Sequence, residues 1–84
     1  MENSIDQSRI YRLRNVTLSV RIFEYGGGYR VQYVKVSNSK DDSKCLDHFD
    51  HYFEIYNHAA SKFAKLNALC EGIWICHWNN TARL

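Results

Sequence analysis

Val16 to Val36 reads VTLSVRIFEYGGGYRVQYVKV, two apolar-rich runs on either side of three consecutive glycines. In the first run Val16, Leu18, Val20 and Ile22 alternate with Thr17, Ser19, Arg21 and Phe23. That period of two places one face of a strand in a core and the other face outside. The second run, Tyr29 to Val36, is rich in Tyr and Val, both at home on a pleated surface. Gly26-Gly27-Gly28 supplies positive φ angles at little cost, so the two runs are expected to close as an antiparallel hairpin. A phosphate cradle is the other use of a glycine run, but such loops lead into a helix and end in Gly-Lys-Ser/Thr or follow GxGxxG spacing. Here the glycines lead into a second strand.

Upstream of the hairpin, residues 1–8 are polar and aperiodic and are read as a flexible N-terminus, and Ile10 to Arg14 either extends the first strand or forms a short one of its own. Downstream, Ser37 to Ser43 is a polar loop, and Lys44 to Leu46 offers a short third strand. From His48 to Glu71 the pattern fits a helix: Phe49, Tyr52, Phe53, Tyr56, Ala59, Ala60, Phe63, Leu66 and Cys70 fall on one side, with Glu54, His58, Ser61, Lys62 and Lys65 opposite. Asp47 or Asp50 would cap that helix and Gly72 would end it. Ile73 to Trp78, β-branched and aromatic, reads as a final strand, with 79–84 a flexible tail. The expected fold is α+β in the order β-β-(β)-α-β. An antiparallel sheet, the hairpin plus a C-terminal strand, carries one long amphipathic helix on one face. A single domain of residues 9–78 holds all of it.

The chain has 84 residues, 45% hydrophobic and 24% charged, too apolar for disorder and too short for a second core. Its formal charge of +2 is far from the excess of a general polyanion binder. The charges are unevenly spread. Arg9, Arg12, Arg14, Arg21, Arg30 and Lys35 crowd the first 36 residues, whereas Asp41, Asp42, Asp47, Asp50 and Glu54 follow with Lys44 alone among them. The N-terminal stretch has neither the positive nor the apolar part of a secretion signal, and no run approaches the ~18 apolar residues of a membrane span. A cytoplasmic protein with no membrane partner is expected. Three cysteines, Cys45, Cys70 and Cys76, cannot all pair within one chain, and are read as small buried hydrophobes.

No nucleophile elbow, HExxH or comparable signature frames the Ser, Cys and His residues, so no catalysis is expected. Cys45, His48 and His51 stand three apart, and Cys76-His77 would complete four ligands only if the last strand ran past the helix start. Two compact ligand pairs are missing, so no metal or other cofactor is assigned. Two surfaces remain for a partner. One is the acidic patch of Asp41, Asp42, Asp47, Asp50 and Glu54, suited to steering a basic protein. The other is the hairpin face with Arg21, Tyr25, Tyr29, Arg30 and Tyr33, residue types enriched at protein interfaces. With Phe23 that face also suits a small nucleic-acid-binding protein, although no RNP-type sequence is present. Trp74 and Trp78 are expected to complete the core, or failing that to form a homodimer edge, so the chain acts as a monomer or a homodimer.

The hairpin of Val16 to Val36, the acidic segment Asp41 to Glu54 running into one long helix, and the aromatic final strand together resemble small phage-encoded inhibitors of the anti-CRISPR type. The resemblance is one of size and layout over nearly the whole chain, without a shared motif. It implies a single non-catalytic domain that binds a host protein or nucleoprotein complex and blocks it. Asp41, Asp42, Asp47, Asp50 and Glu54 would then stand in for phosphates. The net charge of +2 departs from the strongly acidic character of several such inhibitors.

Overall fold

The structure is a computed structural model that describes residues 4–38 and 44–82. Four strands, β1 (Asp6–Arg12), β2 (Val16–Tyr25), β3 (Gly28–Ser37) and β4 (Cys45–Phe53), are followed by one helix, α1 (Tyr56–Ala82). The strands form an antiparallel sheet in the order β1-β2-β3-β4. The fold is α+β as expected, with the helix at the C-terminal end of the order β-β-β-β-α.

The β2–β3 hairpin closes through Gly26 and Gly27, at φ 57° and 83°, with Tyr25 opposite Gly28. Positive φ at both central residues is the two-residue turn that matches strand twist. Leu18, Val20 and Ile22 of β2 and Val31 of β3 are all but inaccessible and face the helix. Helix residues Ala59 and Cys70 are buried with them, and Phe63 and Leu66 pack against both halves of the core. Tyr11 of β1 joins this core and donates its hydroxyl to Asn67 Oδ1 at 2.9 Å, which satisfies the polar end of a buried ring. Burial pushes the Tyr11 phenol above its ordinary pKa.

Four expectations are corrected here. First, residues 47–53 are a strand. Phe49, Tyr52 and Phe53 suit a helical period, but Phe49, His51 and Phe53 suit a period of two equally well. Pairing with β3, Tyr29 opposite Phe53 through Lys35 opposite Asp47, satisfies backbone groups that β3 would otherwise leave on an open edge. Neither Asp47 nor Asp50 therefore caps the helix, whose first turn holds no acid. Second, Ile73 to Trp78 continue the helix and Gly72 lies inside it. A strand starting at Ile73 would need the chain to reverse over Gly72 alone, shorter than the connections that join helices to strands.

Third, Trp74 and Trp78 stay 41% and 38% exposed and lie outside the core. The Trp78 indole donates to the Arg12 carbonyl at 3.1 Å, and His77 Nε2 accepts from the Arg14 amide at 3.1 Å. Those two bonds tie the far part of the helix to the β1–β2 connection. Fourth, the sheet begins at Asp6, inside the stretch read as flexible, because Asp6, Gln7 and Ser8 pair with Phe23, Ile22 and Arg21. At the other end Asn79 and Asn80 are helical. No helix among the described residues is long and apolar enough to cross a membrane.

The molecule measures 48 × 27 × 24 Å, and its radius of gyration of 14.7 Å exceeds the about 12 Å expected of a compact chain this long. The 27-residue helix, about 40 Å long by its rise per residue, accounts for the elongation.

Of the three free thiols, Cys45 and Cys76 are exposed and only Cys70 is buried, where desolvation raises its pKa. A thiol-specific reagent should therefore modify two cysteines rapidly in the native protein and the third only on unfolding, because Cys70 lacks both access and thiolate. Rapid modification of all three in buffer would contradict this packing.

Candidate protein-binding face

The helix covers one side of the sheet, and strand alternation assigns every side chain to that side or the other. On the uncovered side the pairing lines up Asp6, Phe23, Arg30 and Tyr52 in one row across the four strands, and Ser8, Arg21, Gln32 and Asp50 in the next. Tyr25 and Gly28 lie beside the first row at the hairpin end. A Cβ on Gly28 would come within 2.6 Å of the Phe53 carbonyl and collide with the Tyr52 ring, so the glycine lets that ring lie flat against the sheet. The Tyr52 hydroxyl donates to the Gly26 carbonyl at 3.2 Å.

The two arginines are held in place. Arg21 forms a bidentate pair with Asp6, Nε to Oδ1 at 3.0 Å and Nη2 to Oδ2 at 2.9 Å. Its guanidinium lies 4.1 Å above the Phe23 ring. Arg30 donates from Nε to Asp50 Oδ1 at 2.9 Å and lies 4.8 Å over Tyr25. Gln32 supplies the second Asp50 oxygen with a 2.9 Å bond. Phe23 and Tyr25 meet edge to face at 6.3 Å. A guanidinium paired in its own plane and stacked on a ring has little freedom left to lose, which is the condition for a rigid interface anchor. Within and beside this cluster Tyr52 and Ile10 add exposed apolar surface at 38% and 54%.

Of the hairpin residues singled out from sequence, Arg21, Tyr25 and Arg30 share this face and Tyr29 and Tyr33 do not. Tyr25, Tyr29 and Tyr33 look alike by spacing, but the two-residue turn sets Tyr25 opposite Gly28, so it shares a side with Arg30. Tyr29 packs on Ile22, Val31 and Ala59, and its ring meets Tyr56 at 5.3 Å. Tyr33 packs on the Tyr11, Leu18, Val20 and Cys70 cluster, and burial raises its phenol pKa. Asp6, Gln32 and Tyr52 were missed. They come from a stretch read as flexible, from a strand position with no chemical signal of its own, and from a segment read as helix.

The acids do not gather as expected. Asp41 and Asp42 lie outside the described residues. Asp47 sits on the helix side of β4, where its Oδ1 accepts from the His48 amide at 2.9 Å. Asp50 is on the opposite side, and Glu54 follows the strand end. Residues 47, 50 and 54 would share a face only on a helix. The same change of period separates His48 from His51, whose ring lies 4.7 Å from Phe53 on the helix side. Cys76 and His77 belong to the last part of the helix. Among the described residues no group of three or more His, Cys, Asp or Glu is placed to hold a metal ion.

In comparisons with known proteins, no family model, curated protein or solved structure matches this chain.

Hydrogen bonds from Gln32 and Arg30 hold the Asp50 carboxyl below its ordinary pKa, and the Arg21 guanidinium does the same for Asp6. A carboxylate with a depressed folded pKa contributes stability above its unfolded value of about 4, and loses that contribution as pH falls through the folded one. Urea unfolding of the wild type and Asp50→Asn should thus differ by up to about 1 kcal/mol at neutral pH, as for other solvent-washed pairs, and the gap should narrow as the pH is lowered into the range where the carboxylate protonates. A gap that persists or widens in acid would contradict the assignment of this ion pair.

Proposed function

We propose that the chain is a non-catalytic protein-binding module, an inhibitor of phage or mobile-element type that occupies a binding surface of a host enzyme or nucleoprotein complex. The uncovered sheet face is its working surface. One observation carries this reading: Arg21 and Arg30 are each paired with a carboxylate and laid over an aromatic ring in the same patch. Binding phosphates through those guanidiniums would bring the backbone of a nucleic acid up against the Asp6 and Asp50 carboxylates that already neutralise them. A protein surface can instead dock on the Phe23, Tyr25 and Tyr52 rings with the ion pairs intact. Tyr and Arg in a rigid, partly apolar patch are the residue types that dominate binding energy at protein interfaces. The nucleic-acid reading is weakened by the same pairing, since counterion release depends on cations that are not already neutralised.

The test is affinity capture from a bacterial lysate, with and without nuclease, using the wild type and a Tyr25→Ala/Arg30→Ala variant. A protein that survives nuclease, and whose affinity for the variant falls by about 30-fold or more, is the expected result, since truncating a hot-spot pair costs about 2 kcal/mol or more. Recovery of nucleic acid alone, or capture indifferent to the double substitution, would contradict the proposal.

A further inference from the structure

Three arginines, in β1 and the connection that follows it, have no acid of their own. From Gln7 to Phe23 the chain carries no Asp or Glu, and none follows Glu71 in the helix. Among the described residues the ion pairs belong to Arg21 and Arg30, so Arg9, Arg12 and Arg14, all exposed, keep their charge unneutralised. The last part of the helix lies beside them. Arg9 and Trp74 line one cavity of about 260 Å³ with Ile10, Tyr11 and Glu71. One turn further on, the Trp78 indole donates to the Arg12 carbonyl and His77 accepts from the Arg14 amide, both at 3.1 Å.

Trp74 and Trp78 stand four residues apart on one side of the helix, about 6 Å from each other by its rise. Their rings remain 41% and 38% exposed. The indole bond and the edge-to-face contact with His77 at 4.8 Å fix the Trp78 ring, so it has little freedom to lose when another ring stacks on it.

We infer that this patch binds single-stranded nucleic acid, with Arg9, Arg12 and Arg14 on backbone phosphates and Trp74 and Trp78 stacked on unpaired bases. Two observations select that ligand. Guanidiniums without a carboxylate partner can take the place of counterions on a polyanion, the source of sequence-independent nucleic-acid affinity. Arg21 and Arg30, already paired, are poorly suited to it. Cations alone would suit any polyanion, but the two indoles among them add a stacking platform, which a base can use and a chain of carboxylates cannot. Bases are free to stack when unpaired, which favours a single strand over a duplex. Glu71, the one acid lining the cavity, opposes the phosphates and keeps the site weak. A dissociation constant on the order of 1–100 μM at physiological salt follows. The patch shares no arginine with the uncovered sheet face, so the inference stands or falls independently of the proposed function.

Titration of the full chain with an oligothymidine of about twelve nucleotides, followed by tryptophan fluorescence and anisotropy, tests it. Trp74 and Trp78 are the only tryptophans in the chain, so a base stacked on them should quench the emission directly. The binding constant should fall with salt at a log–log slope of about −2, the value for three phosphate contacts on a single strand. Arg9→Gln/Arg12→Gln/Arg14→Gln should lower the affinity at least about tenfold and flatten that slope. Trp74→Ala should lower it about fivefold or more and leave the slope in place. All four side chains are exposed, so both variants should keep the circular dichroism of the wild type, and should Trp74→Ala fail to fold, the arginine variant decides. Emission unchanged up to about 500 μM oligonucleotide, or an affinity indifferent to the arginine substitutions, would overturn the inference. So would tighter binding of a duplex of the same length, or polyglutamate bound as tightly as oligothymidine, which would assign the patch to an acidic protein.

Discussion

One-sided burial is the constraint on which the rest of this structure depends. A chain of 84 residues has apolar material for one small core. Leu18, Val20, Ile22 and Val31 from two strands meet Ala59 and Cys70 from the helix, with Phe63 and Leu66 bridging the two halves. Each large side chain so buried contributes about 1.5–3 kcal/mol, against the conformational entropy that folding must overcome. Losing the helix would strip the sheet of its cover. Because a single helix covers a single face, the other face of a four-stranded sheet is left to solvent, and Arg21, Phe23, Tyr25, Arg30 and Tyr52 acquire their exposure from that fact.

The edge strands are shaped by the same constraint. The β1 segment, DQSRIYR, has few apolar residues, yet it pairs with β2 because Tyr11 reaches the core and Asp6 grips Arg21 across the sheet. At the opposite edge β4 contributes Phe53 to one half of the core, and Lys62 of the helix lies 4.7 Å over its Phe49 ring. Both edges are stabilised by side-chain contacts as well as by the ladder. The two carboxylates that complete the uncovered face, Asp6 and Asp50, are the very residues these edge strands bring in.

The hairpin was legible from its alternation and glycines, and so were the fold class and the helix face that includes Ala59, Phe63, Leu66 and Cys70. What could not be read was the period of 47–53, where Phe49, Tyr52 and Phe53 suit either geometry, and only pairing with β3 decides between them. For Ile73 to Trp78, local β propensity points to a strand, whereas the lack of any connection beyond Gly72 favours continuing the helix. The β4 part of the candidate face depended on the first of these. Arg21, Tyr25 and Arg30 were recognisable by residue type, but Tyr29 and Tyr33 changed sides because the turn is two residues long, and Asp50 and Tyr52 joined the face only once their segment became a strand.

The covered and uncovered faces, the position of Asp50 and the place of Trp74 and Trp78 all rest on one claim, that 45–53 is extended and 56–82 is a single unbroken helix. Backbone NMR assignment tests it most directly. The account predicts negative 13Cα secondary shifts across residues 45–53 and positive shifts continuing without interruption through residues 73–78. Positive shifts over 47–53, or a helix that stops at Gly72 with extended residues beyond it, would contradict it.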